Sequence, residues 1–126
     1  YSARRAGTKS TGNAVGAGVG CLALQLVPGN KSQAELIAGI DDGVLIDSVQ
    51  GLHSGVNPIS GDFSTGASGL IIRNGQTAEP VREFTIASTL QRMLLDVIEV
   101  GGDIEWLPSS AAGLSLAVGD ITLSGA

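Results

Sequence analysis

The apolar residues of this chain fall into short runs with two different spacings. Leu22, Leu24 and Leu26 alternate with Cys21, Ala23, Gln25 and Val27. So nearly unbroken an apolar run predicts a strand covered on both faces, ended by a turn at Pro28-Gly29-Asn30. Ser32-Gln33-Ala34-Glu35 has the form of a capping box, in which the Ser hydroxyl takes the N3 amide and Glu reaches back to the Ser amide. Leu36, Ile37 and Ile40 then make one face of a short helix, with Gly43 as its stop. Residues 44–49 (VLIDSV) predict a strand, and residues 67–72 another. Between them, residues 51–66 (GLHSGVNPISGDFSTG) are dense in turn formers and predict mostly loop. Asn74-Gly75 is a strong hairpin signal, because a type I′ turn needs positive φ at both positions. It pairs Leu70–Ile72 with Thr77–Glu79 in a return strand over residues 76–81, where Pro80 implies an edge or a strand end.

The spacing then changes. Ile86, Leu90, Met93, Leu94, Val97 and Ile98 recur at helical intervals and predict one helix face, with Ser88 and Gln91 as a second capping box and Gly101-Gly102 as terminator. Residues 114–118 alternate as a strand, Gly119-Asp120 makes a turn or bulge, and residues 121–123 form a last strand. Residues 1–13 are polar and irregular. The order is β-α-β-loop-β-β-α-β-β, without internal repeat. It predicts an α+β fold of predominantly antiparallel β-sheet with two helices, as a single domain over residues 1–126.

Composition narrows the function. Hydrophobic residues are 43% and charged residues 15% of the chain, which argues against a disordered polypeptide. Aromatics are 3% and glycines number 19 of 126, so the core must be aliphatic and the backbone tightly turned. Seven Lys and Arg against a net charge of −5 leave no basic stripe to neutralise phosphates, which disfavours nucleic acid as a partner. The single cysteine, Cys21, excludes an internal disulfide and a Cys₂ or Cys₄ zinc site. The apolar stretch 14–28 is too short and glycine-rich to span a membrane. The chain begins at Tyr1 with no signal peptide, as a piece of a longer polypeptide would, and a soluble, reducing, cytoplasmic setting is expected.

His53 is the one histidine. It can be written into a triad with Ser54 or Ser60 and with Asp62, or read as an exposed loop histidine, and sequence proximity is no evidence for a triad. His53, Asp62 and Asp47 have no spacing that forces them onto one face to bind metal. Cys21 reads as a small buried hydrophobe, and Asp41-Asp42 as a solvated turn. The glycines of GVGC and SGDFSTGASG can line a phosphate nest, which keeps a small-ligand-binding module among the alternatives, although no Gly-Lys-Ser/Thr follows. The candidate element is residues 51–69, where His53, Ser54, Asn57, Ser60, Asp62, Ser64 and Ser68 crowd together with Thr65. Such a loop either lines a peptide cleft or packs on itself through side chain–backbone bonds.

Residues 53–69, HSGVNPISGDFSTGASG, resemble the signature of the PmbA/TldD family, and Ile72-Arg73-Asn74-Gly75-Gln76 with Pro80-Val81 is similar to its continuation. Further similarity lies at Tyr1-Ser2-Ala3-Arg4, Ser10-Thr11-Gly12-Asn13, Glu35-Leu36-Ile37, Phe84-Thr85-Ile86-Ala87, Val100-Gly101-Gly102-Asp103 and residues 121–125. The resemblance implies the C-terminal domain of a longer protein whose N-terminal domain is absent here. It implies a cytoplasmic family of DNA gyrase modulators regarded as zinc peptidases acting on unfolded peptides, built as two-subunit machines. The TldD-type subunit carries a His-Glu-x-x-x-His helix and a C-terminal Cys that bind zinc, and the PmbA (TldE)-type subunit lacks them. This chain has no His-Glu-x-x-x-His, and residues 103–113 contain no cysteine. The resemblance therefore implies the partner type, with no catalytic residue, no metal ligand and no cofactor in this domain. Its partners would be a TldD-like catalytic subunit or a second copy, and a peptide substrate, with no nucleic acid and no membrane. The alternative is a self-sufficient zinc metallopeptidase whose ligands lie in the missing N-terminal region.

Overall fold

In the computed structural model, residues 2–10, 12, 24–108 and 110–125 are described. They form a mostly antiparallel β structure with short helices. A one-turn helix α1 (Ser2–Arg5) interrupts the N-terminal segment expected to be irregular. Residues 24–27 lie in no strand and are exposed, contrary to the alternation read there; Cys21 and Leu22 fall outside the described residues.

Helix α2 (Gln33–Ala38) starts on the expected capping box. The Glu35 amide donates to Ser32 Oγ at 3.3 Å, and the Ser32 amide donates to Glu35 Oε2 at 2.8 Å. The same contacts, from the Ser32 amide and then its hydroxyl, hold the Glu35 carboxyl below its usual range. The helix ends earlier than expected, because the Gly39 amide closes back on the Ile37 and Leu36 carbonyls. Gly43 instead lies in strand β1 (Asp42–Gln50).

A four-residue helix α3 (Leu52–Gly55) follows, and then strand β2 (Asp62–Arg73). The loop read over residues 51–66 is thus shorter than expected, since its last five residues are strand. Strand β3 (Gln76–Thr89) returns from the Asn74-Gly75 turn, whose φ values of 49° and 74° have the signs a type I′ turn needs. The turn is tied down by bonds from the Asn74 amide to the Asp41 carbonyl and from the Gly75 amide to the Ile40 carbonyl, at 2.6 and 2.9 Å. Ile72 faces Thr77 and Leu70 faces Pro80, close to the expected register.

The long helix expected around residues 86–98 is not formed. Ile86 belongs to β3, helix α4 covers only Leu90–Leu95, and residues 97–100 make strand β4 (Val97–Val100). The cap is Thr89, whose Oγ1 accepts from the Arg92 amide, not Ser88. Gly101 and Gly102 therefore follow a strand. Strands β5 (Glu105–Trp106), β6 (Ala112–Gly113), β7 (Leu116–Val118) and β8 (Thr122–Ser124) complete the chain.

The main sheet has the order β1-β2-β3-β8, while β4-β7 and β5-β6 form separate antiparallel pairs. Strand β8 covers only Thr85, Ile86 and Ala87 of β3, so Pro80 sits on a stretch of β3 that is an edge, the place in a sheet where Pro is tolerated. Phe63, Thr65 and Ala67 alternate inward on β2, and Phe84 faces Ala67 from β3. With Leu36 and Ile72 they are the buried residues of the core.

Candidate functional site

The polar loop folds onto itself. Gly51 enters it at φ 76°, and α3 makes one turn closed by the Gly55 amide donating to the Gly51 carbonyl at 2.7 Å. Ser54 Oγ donates to the same carbonyl at 3.3 Å. Gly55 packs so closely against the Ser64 carbonyl that a Cβ would collide with it. Asn57 is the hub of the next turn. Its Oδ1 accepts from the Ile59 and Ser60 amides at 2.9 and 3.3 Å, its carbonyl accepts from the Gly61 amide, and its own amide donates to the Asp62 carbonyl. This is the side chain–backbone mimicry that suits Asn to turns.

Asp62 does not cap the Ser64 and Thr65 amides, as glycine-rich turn chemistry would suggest, because those residues already belong to β2. Asp62 Oδ2 accepts from Ser60 Oγ at 2.5 Å, and the Asp62 amide donates back to Ser60 Oγ at 3.3 Å. The loop is then fastened to α4: Gln91 Nε2 donates to the Ser60 carbonyl at 3.0 Å and the Leu90 amide to the Gly61 carbonyl at 2.8 Å. Gly61 has φ 82°, a conformation strained for any residue with a side chain, and a Cβ there would also push the amide of Gln91 aside.

The seven candidate residues therefore form no single constellation. Asn57, Ser60 and Asp62 come together as a self-bonded turn. His53 and Ser54 sit on α3, where His53 is exposed and makes no hydrogen bond or ion pair with any described residue. Ser64 and Ser68 lie along β2, and Ser68 is taken up by Ser48 of β1 at 2.7 Å between their hydroxyl oxygens. No Ser-His-Asp arrangement results. The glycine-rich SGDFSTGASG does not make a phosphate nest either, because from Asp62 onward it is strand paired with β3, and from Gly66 onward it is paired with β1 as well.

A second feature escaped the sequence reading. Strand β1 carries an extra residue, Asp47, between Ile46 and Ser48, and β3 carries Arg82 and Glu83 where β2 has only Ser68. The two bulges face each other across Ser68 and open a groove of about 640 Å³ lined by Asp47, Gln50, Ser68, Arg82 and Glu83. Glu83 has φ 58°, a conformation uncommon for a side chain of its size. Gly69 lies so close to the Leu45 carbonyl that no Cβ fits. That glycine between alternating residues was the one sequence signal of a bulge.

Over residues 1–125 the chain matches the family model described as PmbA/TldA metallopeptidase C-terminal domain. The chain belongs to the PmbA/TldD family. It is 38% identical over 105 residues to "Metalloprotease PmbA" of Escherichia coli O157:H7, covering 83% of this chain and 22% of that protein. It is 36% identical over 125 residues to a PmbA homolog of Haemophilus influenzae, covering 99% and 26%. The chain thus spans about a quarter of the length of these curated relatives. A crystal structure from Thermotoga maritima, named for modulation of a DNA gyrase, superposes with TM-score 0.84 at 35% identity over 97% of this chain and 28% of that one. TldE from Thermococcus kodakarensis shares the fold, with TM-score 0.64 at 24% identity over 92% of this chain and 27% of that one.

Membership of a PmbA/TldD metallopeptidase family raises the question of zinc. A catalytic zinc takes three protein ligands, and among the described residues no three His, Cys, Asp or Glu come together to hold a metal. The donor set of the described residues does not fit the ion. No helix among the described residues is long and apolar enough to cross a membrane.

Proposed function

We propose that this is the C-terminal domain of a PmbA (TldE)-type subunit, the non-catalytic partner in a two-subunit metallopeptidase that degrades unfolded peptides in the cytoplasm. The observation that carries this reading lies near the C-terminal end of the sequence: residues 103–113 contain no cysteine, where the resemblance places the metal-binding cysteine of a TldD-type subunit. The names of its relatives, PmbA among proteins and TldE among structures, support the same side of the pair. The self-bonded turn around Asn57 and Asp62 would then be a scaffold that fixes the wall of a peptide cleft. A TldD-like subunit is the expected partner.

The word "metalloprotease" in the relatives' names favours a second reading, in which the full-length protein carries its own zinc ligands upstream of this domain. The deciding experiment uses the full-length protein with and without the TldD-type subunit of the same organism. Zinc content and hydrolysis of an unfolded peptide are measured for each. No turnover alone and turnover on mixing are expected. Stoichiometric zinc with turnover by the full-length protein alone would establish the second reading.

A further inference from the structure

Gly66 is a glycine that the backbone of β2 does not ask for. Its φ lies outside the left-handed region, and a Cβ there would meet only the Gln50 Cβ, at 3.9 Å. Gly69, by contrast, has no room for a Cβ against the Leu45 carbonyl. A glycine in mid-strand weakens the strand, and it often marks a place where a ligand or another backbone comes close. Gly66 lies on the floor of the groove that the two bulges open, beside Ser68. The walls of that groove are charged: Asp47 stands on β1, Arg82 and Glu83 on β3, and all three are exposed. Lys31, Arg73 and Arg92 each hold a carboxylate. Arg82 holds none among the described residues, although Asp47 and Glu83 line the same groove, and neither of those has an ion-pair partner there. Glu83 keeps its φ of 58° at this point, and backbone strain of that kind clusters at ligand clamps.

We propose that the groove binds a short free peptide by its two ends, with the ammonium on Asp47 and the carboxylate on Arg82. Strands β1 and β3 flank β2, so the two walls stand two strand spacings apart, about 10 Å. Side chains reaching in from both leave a gap that a dipeptide or tripeptide spans, at about 3.5 Å per residue. A single amino acid does not bridge it. The volume of about 640 Å³ lies in the range of sites that take drug-sized ligands. The guanidinium fork of Arg82 suits a carboxylate through two parallel hydrogen bonds, and the bare Gly66 lets a peptide backbone lie against the sheet. Loop closure opposes bringing the distant ends of a long unfolded chain together here. The ligand is therefore a different one from the unfolded peptide of the reading above, and the site stands whichever subunit type the chain belongs to. The rest of a longer polypeptide is a poor cover for this surface, because unpaired charges would lose their water beneath it.

Calorimetry on the full-length protein alone tests this. It measures binding of the dipeptide alanyl-leucine, its N-acetyl form, its C-terminal amide and free leucine. The proteins are the wild type, Asp47→Asn, Arg82→Gln, Gly66→Val and Glu105→Gln. The wild type should bind the dipeptide with millimolar or tighter affinity. Each blocked form, and leucine, should bind at least about tenfold more weakly, the size of a lost charge-assisted hydrogen bond. Asp47→Asn should erase the preference for the free ammonium, and Arg82→Gln the preference for the free carboxylate. Gly66→Val should abolish binding while the thermal midpoint holds or rises, since Val suits a strand better than Gly. Glu105→Gln, outside the groove, should bind as the wild type does. No binding of millimolar dipeptide by the wild type, the result if the rest of the chain fills the groove, would overturn the site. So would blocked forms or leucine that bind as tightly as the dipeptide, or a Gly66→Val variant that binds like the wild type. Turnover by the mixed subunits is a separate measurement, so failure of this site and failure of the two-subunit reading are told apart.

Discussion

At the scale of single residues, the hairpin turn is the most demanding site in the sheet. Gly75 combines φ 74° with a position where a Cβ would lie 2.8 Å from the Ala38 carbonyl oxygen. Gly75→Val adds a β-branched side chain to both constraints. It should cost on the order of 2 kcal/mol or more from the left-handed backbone alone, read as a lower midpoint in urea unfolding. Asp62 is the opposite case. Its carboxylate bonds to the exposed Ser60 hydroxyl, where water replaces the partner cheaply. Asp62→Asn keeps an accepting oxygen and should be near neutral. Asp62→Ala should cost no more than about 1 kcal/mol, the net worth of one ordinary hydrogen bond. Unchanged stability in both variants with peptide turnover lost in the two-subunit complex would move Asp62 from scaffold to substrate contact. The loop's composition was legible in the sequence, but Asp62's partner was not. The choice between the Ser60 hydroxyl and downstream amides depends on where β2 begins, and that is set by pairing with Thr89 far along the chain.

At the scale of elements, legibility follows the range of the forces. The Ser32–Glu35 box is complete within four residues, and it appears in the structure as read. Ser32→Ala should cost about 1 kcal/mol, seen in thermal unfolding and in earlier loss of α2 amide protection. The Asn74-Gly75 turn is equally local. The helical spacing over residues 86–98 misled because two of its apolar positions serve distant strands: Ile86 faces Leu123, and Val97 faces Val118. Sheet pairing overrode a periodicity that was real in the sequence. The same long-range logic gives Asp103 its partner, which the sequence did not announce. Its Oδ2 accepts from Ser115 Oγ at 2.6 Å and its Oδ1 from the Ser115 amide at 3.1 Å, while Gln33 of α2 reaches the same hydroxyl at 2.9 Å. The Ser115 hydroxyl, and then its amide, hold the Asp103 carboxyl below its ordinary value of 3.8. A carboxyl whose pKa is lower in the folded than in the unfolded state stabilises above the unfolded value, and that contribution is lost as pH falls through the folded one. Unfolding free energy should therefore drop as the medium is acidified below about pH 4. Asp103→Asn should flatten that acid limb, and an unchanged pH profile would remove Asp103 from the account.

At the scale of the whole molecule, the distribution of apolar surface is the decisive fact. Among the described residues, Leu94, Leu95 and Ile98 around α4 and β4 are 66%, 79% and 75% exposed, and Ile59 at the loop tip is 95% exposed. Monomers do not normally leave so many large aliphatic side chains in water. Composition alone could not show this, because 43% hydrophobic residues is ordinary for a domain with a full core. Only the fold reveals how few of them are buried. The chain also spans about a quarter of the length of its PmbA relatives. The isolated 126-residue domain should therefore bind a hydrophobic dye strongly and associate in a concentration-dependent way. The same domain within the full-length protein should lose most of that dye binding and melt at a higher temperature, since anything that binds the folded state alone stabilises it. Sedimentation of the isolated domain and dye titration of both proteins check this. A monomeric, dye-silent domain that melts where the full-length protein does would mean that these side chains are covered by nothing in the longer chain.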